Sequence, residues 1–181
     1  MKTSDHNLVK AANQGDGDAF SALLSRHYDV IHRVAFRMLG SAADADDLTQ
    51  DVCANLPFKL RSFRNDANFT TWLYRLVVNA VTDRFRKQAT YRRVLAGWGE
   101  FHRMQQDEAV QSKNELAWLS RAMSSLPDDL RQTVALVLGE ELTHAQAGQL
   151  LQISEGTVSW RMSEVKKALR AVARDEEKTY D

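Results

Sequence analysis

Apolar residues recur at helical spacing along most of the chain, which predicts an all-α protein. The first two helices are separated near Asp16 or Asp18, and the second ends at Gly40, a residue suited to a C-cap. Ser41 caps the third helix, which Pro57 is expected to kink or end.

Helical spacing continues after the third helix, is interrupted once, and then returns. A polar loop at about 62–68 leads into a long helix, and the periodicity then weakens over 88–113. Helical spacing returns at Glu115, and Pro127 begins a further helix that closes near Gly139. The chain therefore predicts two helical bundles joined by a flexible segment.

The pattern over residues 143–161 predicts a short helix, a tight connection and a second helix, the arrangement of a helix-turn-helix that reads DNA. Thr143 and Gln146 form a capping box, and Gly148 permits a close backbone approach. Ser154 can cap the second helix. Its inward stripe comprises Val158, Met162, Val165 and Leu169. On this stretch alone, a helical hairpin with a solvated charged face is the alternative.

Composition narrows the class of protein. The chain has 181 residues, of which 44% are hydrophobic. It contains only 2 prolines and 8 glycines, which argues against an all-β fold because such a fold needs many turn residues. No apolar run is long enough to cross a bilayer, and the single Cys53 excludes an internal disulfide or a multi-cysteine zinc site. We expect a soluble cytoplasmic protein that needs no cofactor and has no metal site.

Charge is segregated along the chain although the net charge is zero. Asp44, Asp47 and Asp51 fall on one stripe of the third helix, with Gln50 beside it. Basic residues dominate positions 59–93 and return in the last helix. Local basic surface favours phosphate, and the acidic stripe indicates a second, different partner. A solvated acidic face is the simpler alternative.

Aromatic residues alternate with arginines and asparagines over positions 61–87. The rings are Phe63, Phe69, Trp72 and Tyr74. Such mixing suits single-stranded nucleic acid, because bases stack on rings while cations follow the backbone. The alternative is that Phe69 and Trp72 are core residues.

Four segments carry recognisable motifs in a fixed order. They are DADDLTQDV at 44–52, FTTWLYRL at 69–76 with the later Asn79, Asp83 and Arg86-Lys87, SLP at 125–127, and GTV at 156–158 followed by Arg161. Together they resemble the DAEDLVQEVF, FxxWLYRIAxN…D…RR, SLP and GTVxSR elements of bacterial sigma factors of the extracytoplasmic-function (ECF) group, in the sigma-70 family. The resemblance covers most of positions 5–172.

The resemblance implies binding to core RNA polymerase and to promoter DNA. The N-terminal domain would dock on the β′ clamp helices and would open the −10 element, with a base flipped into a protein pocket. The C-terminal domain would place its second helix in the major groove of the −35 element and would contact the β flap. The implied core-binding residues are Asp44, Asp47, Gln50 and Asp51. The implied −10 contacts are Arg64, Asn65, Asn68, Phe69, Trp72, Arg75, Asn79, Arg84, Arg86 and Lys87. The implied −35 contacts are Ser154, Thr157, Trp160, Arg161, Glu164 and Lys167.

The same resemblance implies a domain plan and a biological setting. It divides the chain into a sigma-2-like domain at 1–90, a linker at 91–114, a sigma-4-like helix-turn-helix domain at 115–174 and an acidic tail at 175–181. An anti-sigma factor is an expected further partner, and direct membrane insertion is not expected. The protein would not be an enzyme, because core polymerase supplies the catalysis.

The chain departs from the family's pattern at several positions. Pro57 stands where tryptophan is common, Gln152 replaces the glycine of the turn, and Trp160 replaces a small serine. Ser159 and Glu164 occupy positions where the family often has basic residues. These differences place the protein's own −35 specificity at Trp160 and Glu164.

Two other functions compete with this interpretation. A two-domain helix-turn-helix regulator that does not replace sigma would need neither the acidic stripe nor the aromatic-basic helix. An enzyme acting on nucleic acid would need a carboxylate pair, a Cys/His cluster or a glycine-rich phosphate loop, and none of these occurs at a usable spacing.

Overall fold

The computed structural model describes residues 3–64, 68–96 and 122–177. Regular structure in these three segments is helical, which confirms the all-α prediction. The helices are α1 Asp5–Asn13, α2 Gly17–Leu39, α3 Ala42–Leu60, α4 Phe69–Ala96, α5 Asp128–Val134, α6 His144–Leu151 and α7 Glu155–Glu177. A π-helical turn, Ala135–Gly139, continues α5, and residues 122–125 are also helical.

Local capping residues set the predicted helix boundaries of the N-terminal half. The Asp16 carboxylate accepts a hydrogen bond from Ala19 N at 2.9 Å and starts α2. Gly40 ends α2 in the left-handed region at φ 72°, where the absence of a Cβ removes the usual steric penalty. Ser41 Oγ accepts from Asp44 N at 3.3 Å and starts α3. These boundaries are confirmed.

Helix α3 continues past Pro57 to Leu60, so Pro57 does not end it. Proline removes one intrahelical hydrogen bond and usually kinks or breaks a helix. Here Leu56 and Leu60 flank the proline, and each is only 1% exposed. Burial of these two leucines keeps the last turn of α3 against the core, which compensates for the lost hydrogen bond.

Helices α1 to α4 form the N-terminal bundle. Helix α2 is central, because it packs against α1, α3 and α4. Its Leu23 and Ile31 are fully buried, as are Leu73 and Val81 of α4. The inward positions therefore recur at helical spacing on both long helices, as the sequence predicts.

Helices α5 to α7 form the C-terminal unit, in which α7 packs against both α5 and α6. Val158 and Val165 of α7 are fully buried and Met162 is 6% exposed, so the predicted inward stripe is confirmed for these residues. The two units also touch, because α2 packs against α5 and the π-helical turn. This contact joins both halves into one continuous apolar core.

Candidate nucleic-acid interface

The acidic stripe lies on the outer face of α3. Asp47, Gln50 and Asp51 are exposed, and Asp44 is half-exposed. Asp44 forms an ion pair with Arg84 of α4, and Asp47 Oδ2 lies 3.9 Å from the same guanidinium. One end of the stripe is thus partly neutralised, while the end with Gln50 and Asp51 is open to a basic partner.

Arg84 is the residue that links the two predicted surfaces of the N-terminal bundle. The sequence places it among the −10 contacts, but the structure orients its guanidinium towards the acidic stripe. Its side chain is 26% exposed, so part of the charge is screened by Asp44. The sequence gives no signal for this pairing, because the two residues are forty positions apart.

Aromatic rings gather between the end of α3 and the first turn of α4. Phe63 lies 5.5 Å from Phe69 and 5.3 Å from Trp72, measured between ring centroids. Phe69 is 4% exposed and also packs on His27, whose Nε2 lies 2.9 Å from Asp5. Phe69 is therefore a core residue in this conformation, whereas Phe63 and Trp72 keep part of their rings at the surface.

The polar face of α4 begins beside these rings. Trp72, Arg75 and Asn79 are spaced by three and four residues, so they share one side of the helix, and Arg75 and Asn79 are exposed. Further along, Arg86 and Lys87 are exposed as well. The Arg86–Asp83 pair at 3.6 Å is solvated, so it leaves Arg86 available to a stronger anion.

The start of α4 is fixed by Asn68. Its side-chain oxygen accepts a hydrogen bond from Thr70 N at 2.9 Å, and its carbonyl accepts from Trp72 N. These bonds satisfy free N–H groups in the first turn of α4, on which Trp72 lies. Arg64, which follows α3, is exposed, and Asn65 lies outside the described residues.

The helix-turn-helix forms as the sequence predicts. Thr143 Oγ1 accepts from Gln146 N at 3.2 Å, and Gln146 Oε1 accepts from Thr143 N at 2.9 Å, which completes the capping box. A Cβ at Gly148 would lie 2.8 Å from the carbonyl oxygen of Ile153, so only glycine allows this close approach. Ser154 Oγ accepts from Thr157 N at 3.1 Å and starts α7.

Helix α7 presents a mixed outer face. Trp160 is 59% exposed, which makes it the largest exposed ring in the described part of this helix. Glu164 and Lys167 pair with each other at 2.7 Å, and Ser159 Oγ lies 2.8 Å from His144 Nδ1 of α6. The ring projects from the helix, while its polar neighbours are oriented by contacts within the protein.

Arg161 is held differently from the other proposed −35 contacts. Its Nε lies 3.4 Å from Asp129 Oδ2 of α5, and its side chain is only 18% exposed. The guanidinium therefore braces α7 against α5 in this conformation. Ser154 and Thr157 stay at the N-terminal end of α7, where the hydroxyls lie 2.8 Å apart.

Two charged residues that the sequence analysis did not single out have prominent positions. Glu140 binds three side chains of the N-terminal bundle, and Arg131, 7% exposed, reaches the carbonyl of Met38 at 3.1 Å. The sequence offered one sign that Arg131 is buried: it is a cation next to the apolar Leu130 in a short helix. Nothing in the local sequence distinguishes Glu140 from Glu141.

The described residues give little support for a metal site, a reactive thiol or a membrane-spanning helix. No group of three or more His, Cys, Asp or Glu within the described segments could hold a metal ion. Burial raises the pKa of the Cys53 thiol, which disfavours the reactive thiolate. None of the helices in the described part of the chain is long and apolar enough to cross a membrane.

Comparison with known proteins identifies the family. The model of Sigma-70 region 2 matches residues 23–91, and that of Sigma-70, region 4 matches residues 122–171. The chain is 32% identical to the ECF RNA polymerase sigma factor SigM of Mycobacterium tuberculosis over 92% of this chain and 83% of that protein. It is 28% identical to the ECF RNA polymerase sigma factor SigW of Bacillus subtilis over 92% of this chain and 95% of that protein.

A solved structure shares the fold. The sigma factor RpoE of Bartonella quintana, crystallised with the anti-sigma factor NepR, matches with a TM-score of 0.67 at 22% identity, covering 86% of this chain and 96% of that chain. Both matched regions thus fall on helical units that the structure shows, the second of them containing the helix-turn-helix. The chain belongs to the ECF RNA polymerase sigma factors, and the resemblance drawn from its motifs is confirmed.

Proposed function

We propose that this protein binds core RNA polymerase and directs transcription initiation at promoters with particular −10 and −35 elements. The observation that carries the proposal is the N-terminal bundle, which presents an open acidic face on α3 and an exposed aromatic–polar face on α4. The helix-turn-helix of the same chain supplies a second DNA-binding element. Membership of the ECF sigma factors supports this assignment.

Docking on core polymerase is assigned to the α3 face. Basic side chains on the β′ clamp helices would be contacted by Asp44, Asp47, Gln50 and Asp51. Complementary charge would steer the association of the protein with core polymerase. Gln50 and Asp51 are exposed, so they can be approached first. Arg84 would hold Asp44 in place beneath them.

Opening of the −10 element is assigned to the loop before α4 and to its outer face. The residues that would contact unpaired bases and their backbone are Arg64, Asn65, Asn68, Trp72, Arg75 and Asn79. Phe69 would support Trp72 from the core. Positive charge would come from Arg84, Arg86 and Lys87. Base–aromatic stacking contributes roughly 1–3 kcal/mol per base, so a few captured bases can offset local unpairing. The protein thus melts DNA through differential binding and performs no bond-breaking step itself.

Reading of the −35 element is assigned to α7 in the major groove. The residues that would face the DNA are Ser154, Thr157, Trp160, Arg161, Glu164 and Lys167. The exposed ring of Trp160 would contact a thymine methyl group. Arg161 would exchange Asp129 for DNA, because its present partner is a half-exposed carboxylate. Contact with the β flap would place this unit on the polymerase.

The domain plan proposed for these steps assigns docking and −10 recognition to 1–90 and −35 recognition to 115–174. The segment 91–114 would link them and 175–181 would form an acidic tail. Helices α4 and α7 extend to Ala96 and Glu177, so the proposed boundaries at 90/91 and 174/175 fall within helices, while the one at 114/115 lies outside the described residues. The protein would work in the cytoplasm without a cofactor, and an anti-sigma factor is the further partner implied by the family resemblance.

The central experiment is reconstituted transcription. Purified full-length protein is mixed with core polymerase and a genomic library of promoter fragments, and run-off transcripts are sequenced. We expect transcripts that depend on the added protein and share −10 and −35 sequences. Absence of any dependent transcript would refute the sigma function. Binding to promoter fragments that is unaffected by core polymerase would favour the helix-turn-helix regulator.

A charge-reversal pair tests the docking face. Asp47→Lys combined with Asp51→Lys should weaken core binding, because two repulsive contacts replace two attractive ones. Asp18→Lys combined with Asp29→Lys is the control, since both aspartates are exposed on α2 and the net charge changes equally. Equal losses of affinity in the two variants would remove the α3 face from the proposal.

A further inference from the structure

Glu140 is the most enclosed carboxylate at the contact between the two helical units. Its side chain is only 2% exposed, although it belongs to the loop between the π-helical turn and α6. Arg33 of α2 donates two hydrogen bonds to it, at 3.0 and 2.7 Å, and Arg37 donates a third at 2.6 Å. The Tyr74 hydroxyl of α4 completes the set at 2.8 Å.

Backbone fit around Glu140 is equally close. Arg37 also donates to the carbonyl of Gly139, the residue before Glu140. A Cβ at Gly139 would lie 3.0 Å from both Cδ and Nη1 of Arg37, so the absence of a side chain lets the guanidinium approach. The pocket that receives Glu140 is therefore shaped by both units.

A second anchor lies at the end of α2. Arg131 of α5 donates to the carbonyl of Met38 at 3.1 Å, and this carbonyl belongs to the last turn of α2, where the helix dipole favours a cation. Gly40 leaves space for the same guanidinium, since a Cβ there would lie 3.1 Å from its Nη1. The C-terminal unit thus inserts an anion and a cation into the N-terminal bundle.

This packed arrangement cannot span a promoter. A compact chain of 181 residues has a radius of gyration of roughly 16 Å, which corresponds to a body about 40 Å across. The −10 and −35 positions are 25 base pairs apart, or about 85 Å along B-DNA at 3.4 Å per base pair. Contact with both elements therefore requires the two units to separate.

We propose that Glu140 is an electrostatic latch that holds the two units together in the free protein and must be released when the protein binds polymerase and promoter. The inference rests on the proposed function, because only a sigma factor needs to reach both elements. The latch would lower the apparent affinity for core polymerase, because that affinity scales with the fraction of molecules in the open, binding-competent state. It would also keep the two DNA-binding units from acting on promoters independently of polymerase.

Small-angle X-ray scattering of the full-length chain tests the latch. Glu140→Gln keeps the size of the side chain but removes the charge that Arg33 and Arg37 bind, so we expect the radius of gyration to rise by roughly a fifth above the compact value of about 16 Å. Glu141→Gln is the matched control, because the neighbouring carboxylate is exposed. Its scattering should equal that of the wild type.

Substitution of the two arginines that bind Glu140, in the N-terminal bundle, distinguishes the loss of a latch from a folding defect. Arg33→Gln combined with Arg37→Gln should give at least the same expansion, because it removes both cations that bind Glu140 and also the Arg37 bond to the Gly139 carbonyl. Adding Glu140→Gln to this pair should expand the chain no further. Circular dichroism must show unchanged helix content. A Glu140→Gln protein with full helix content and the wild-type radius of gyration would overturn the proposal.

Affinity for core polymerase provides the functional readout. Opening the latch should tighten binding by roughly fivefold or more, the range expected for coupling of this kind. An expanded Glu140→Gln protein with unchanged core affinity would overturn the regulatory role of the latch. Failure of wild type and variant alike to bind core would count against the proposed function, while the scattering result would still decide whether the latch exists.

Discussion

Gln152 shows how a single residue carries the geometry of the helix-turn-helix. It ends α6 in the left-handed region, at φ 58° and ψ 41°, where the Cβ of an L-residue costs about 1–2 kcal/mol. Gln152→Gly should therefore raise the free energy of unfolding by about 0.5–1 kcal/mol, after allowance for the greater entropy of unfolded glycine. Urea denaturation of the full chain measures the change.

The control for this substitution is Gln149→Gly. Gln149 is exposed within α6, where glycine lowers stability by about 1 kcal/mol relative to good helix formers. The same chemical change should therefore act in opposite directions at two positions three residues apart. A loss of stability at Gln152 would mean that its side chain makes a contribution larger than the backbone strain.

Gly148 is the second residue that the turn requires. A Cβ there would meet the Ile153 carbonyl oxygen at 2.8 Å, and this atom belongs to the backbone, so relief requires the turn to move. Gly148→Ala should lower the free energy of unfolding by about 1–3 kcal/mol. Gly156→Ala, whose Cβ would find its nearest neighbour at 3.8 Å, should be neutral or stabilising by up to about 1 kcal/mol. Comparable losses at both positions would contradict the packing argument.

Local spacing explains which residues were predictable from the sequence. A capping box or a glycine C-cap depends on residues within one turn, so Thr143 with Gln146, and Gly40, were found from the chain alone. Arg84 and Glu140 were not, because their partners lie far away in sequence. A charged residue that pairs across helices looks the same in a sequence as one that faces solvent or DNA.

At the scale of the element, α4 has two sides with different electrostatic environments. Arg75 is exposed beside Asn79, whereas Arg84 is paired with Asp44 of α3. A phosphate contact releases counterions, so each one contributes about 0.7–0.9 to the slope of log affinity against log salt. An arginine already neutralised by a carboxylate should contribute much less.

This difference gives a measurable prediction. Arg75→Gln should reduce the salt slope of promoter binding by the polymerase–sigma complex by roughly 0.7–0.9. Arg84→Gln should change it by less than half of that, because Asp44 already binds its guanidinium. Fluorescence anisotropy over a salt series measures both slopes. A full reduction for Arg84→Gln would show that the residue leaves Asp44 and contacts phosphate.

Helices were predicted correctly from the sequence where the residues at helical spacing are also the buried ones. The inward positions of α2, α4 and α7 recur at helical spacing and are buried in the structure. The expectation that Pro57 would end α3 was wrong, because burial of Leu60 keeps the helix intact beyond the proline. Periodicity also gave no sign that α5 continues into a π-helical turn, because residues 135–138 are all apolar and fit an α-helix or a π-helix equally.

At the scale of the whole molecule, the contact between the two units depends on an ionised Glu140. Burial alone would raise the pKa of this carboxyl, but hydrogen bonds from Arg33 and Tyr74 and the charges of Arg33 and Arg37 lower it below its ordinary value. Burial and the bond to Glu140 raise the pKa of Tyr74 to about 12, and the same carboxylate raises the pKa of Arg33. Of Glu140, Tyr74 and Arg33, only the Glu140 carboxyl can therefore titrate in acid.

The sign of the pH dependence follows from the lowered pKa. Its contribution to closure is fully present above the ordinary glutamate pKa of about 4.3 and is lost as pH falls through the lower value in the packed state. We therefore expect the wild-type radius of gyration to stay constant from neutral pH to about 4.5 and to rise below it, approaching that of Glu140→Gln. Scattering and circular dichroism over the same series would follow expansion and helix content together. Expansion between pH 7 and 5 would show that another group controls closure, whereas constancy over that range means that neutral-pH release must come from a binding partner rather than from protonation.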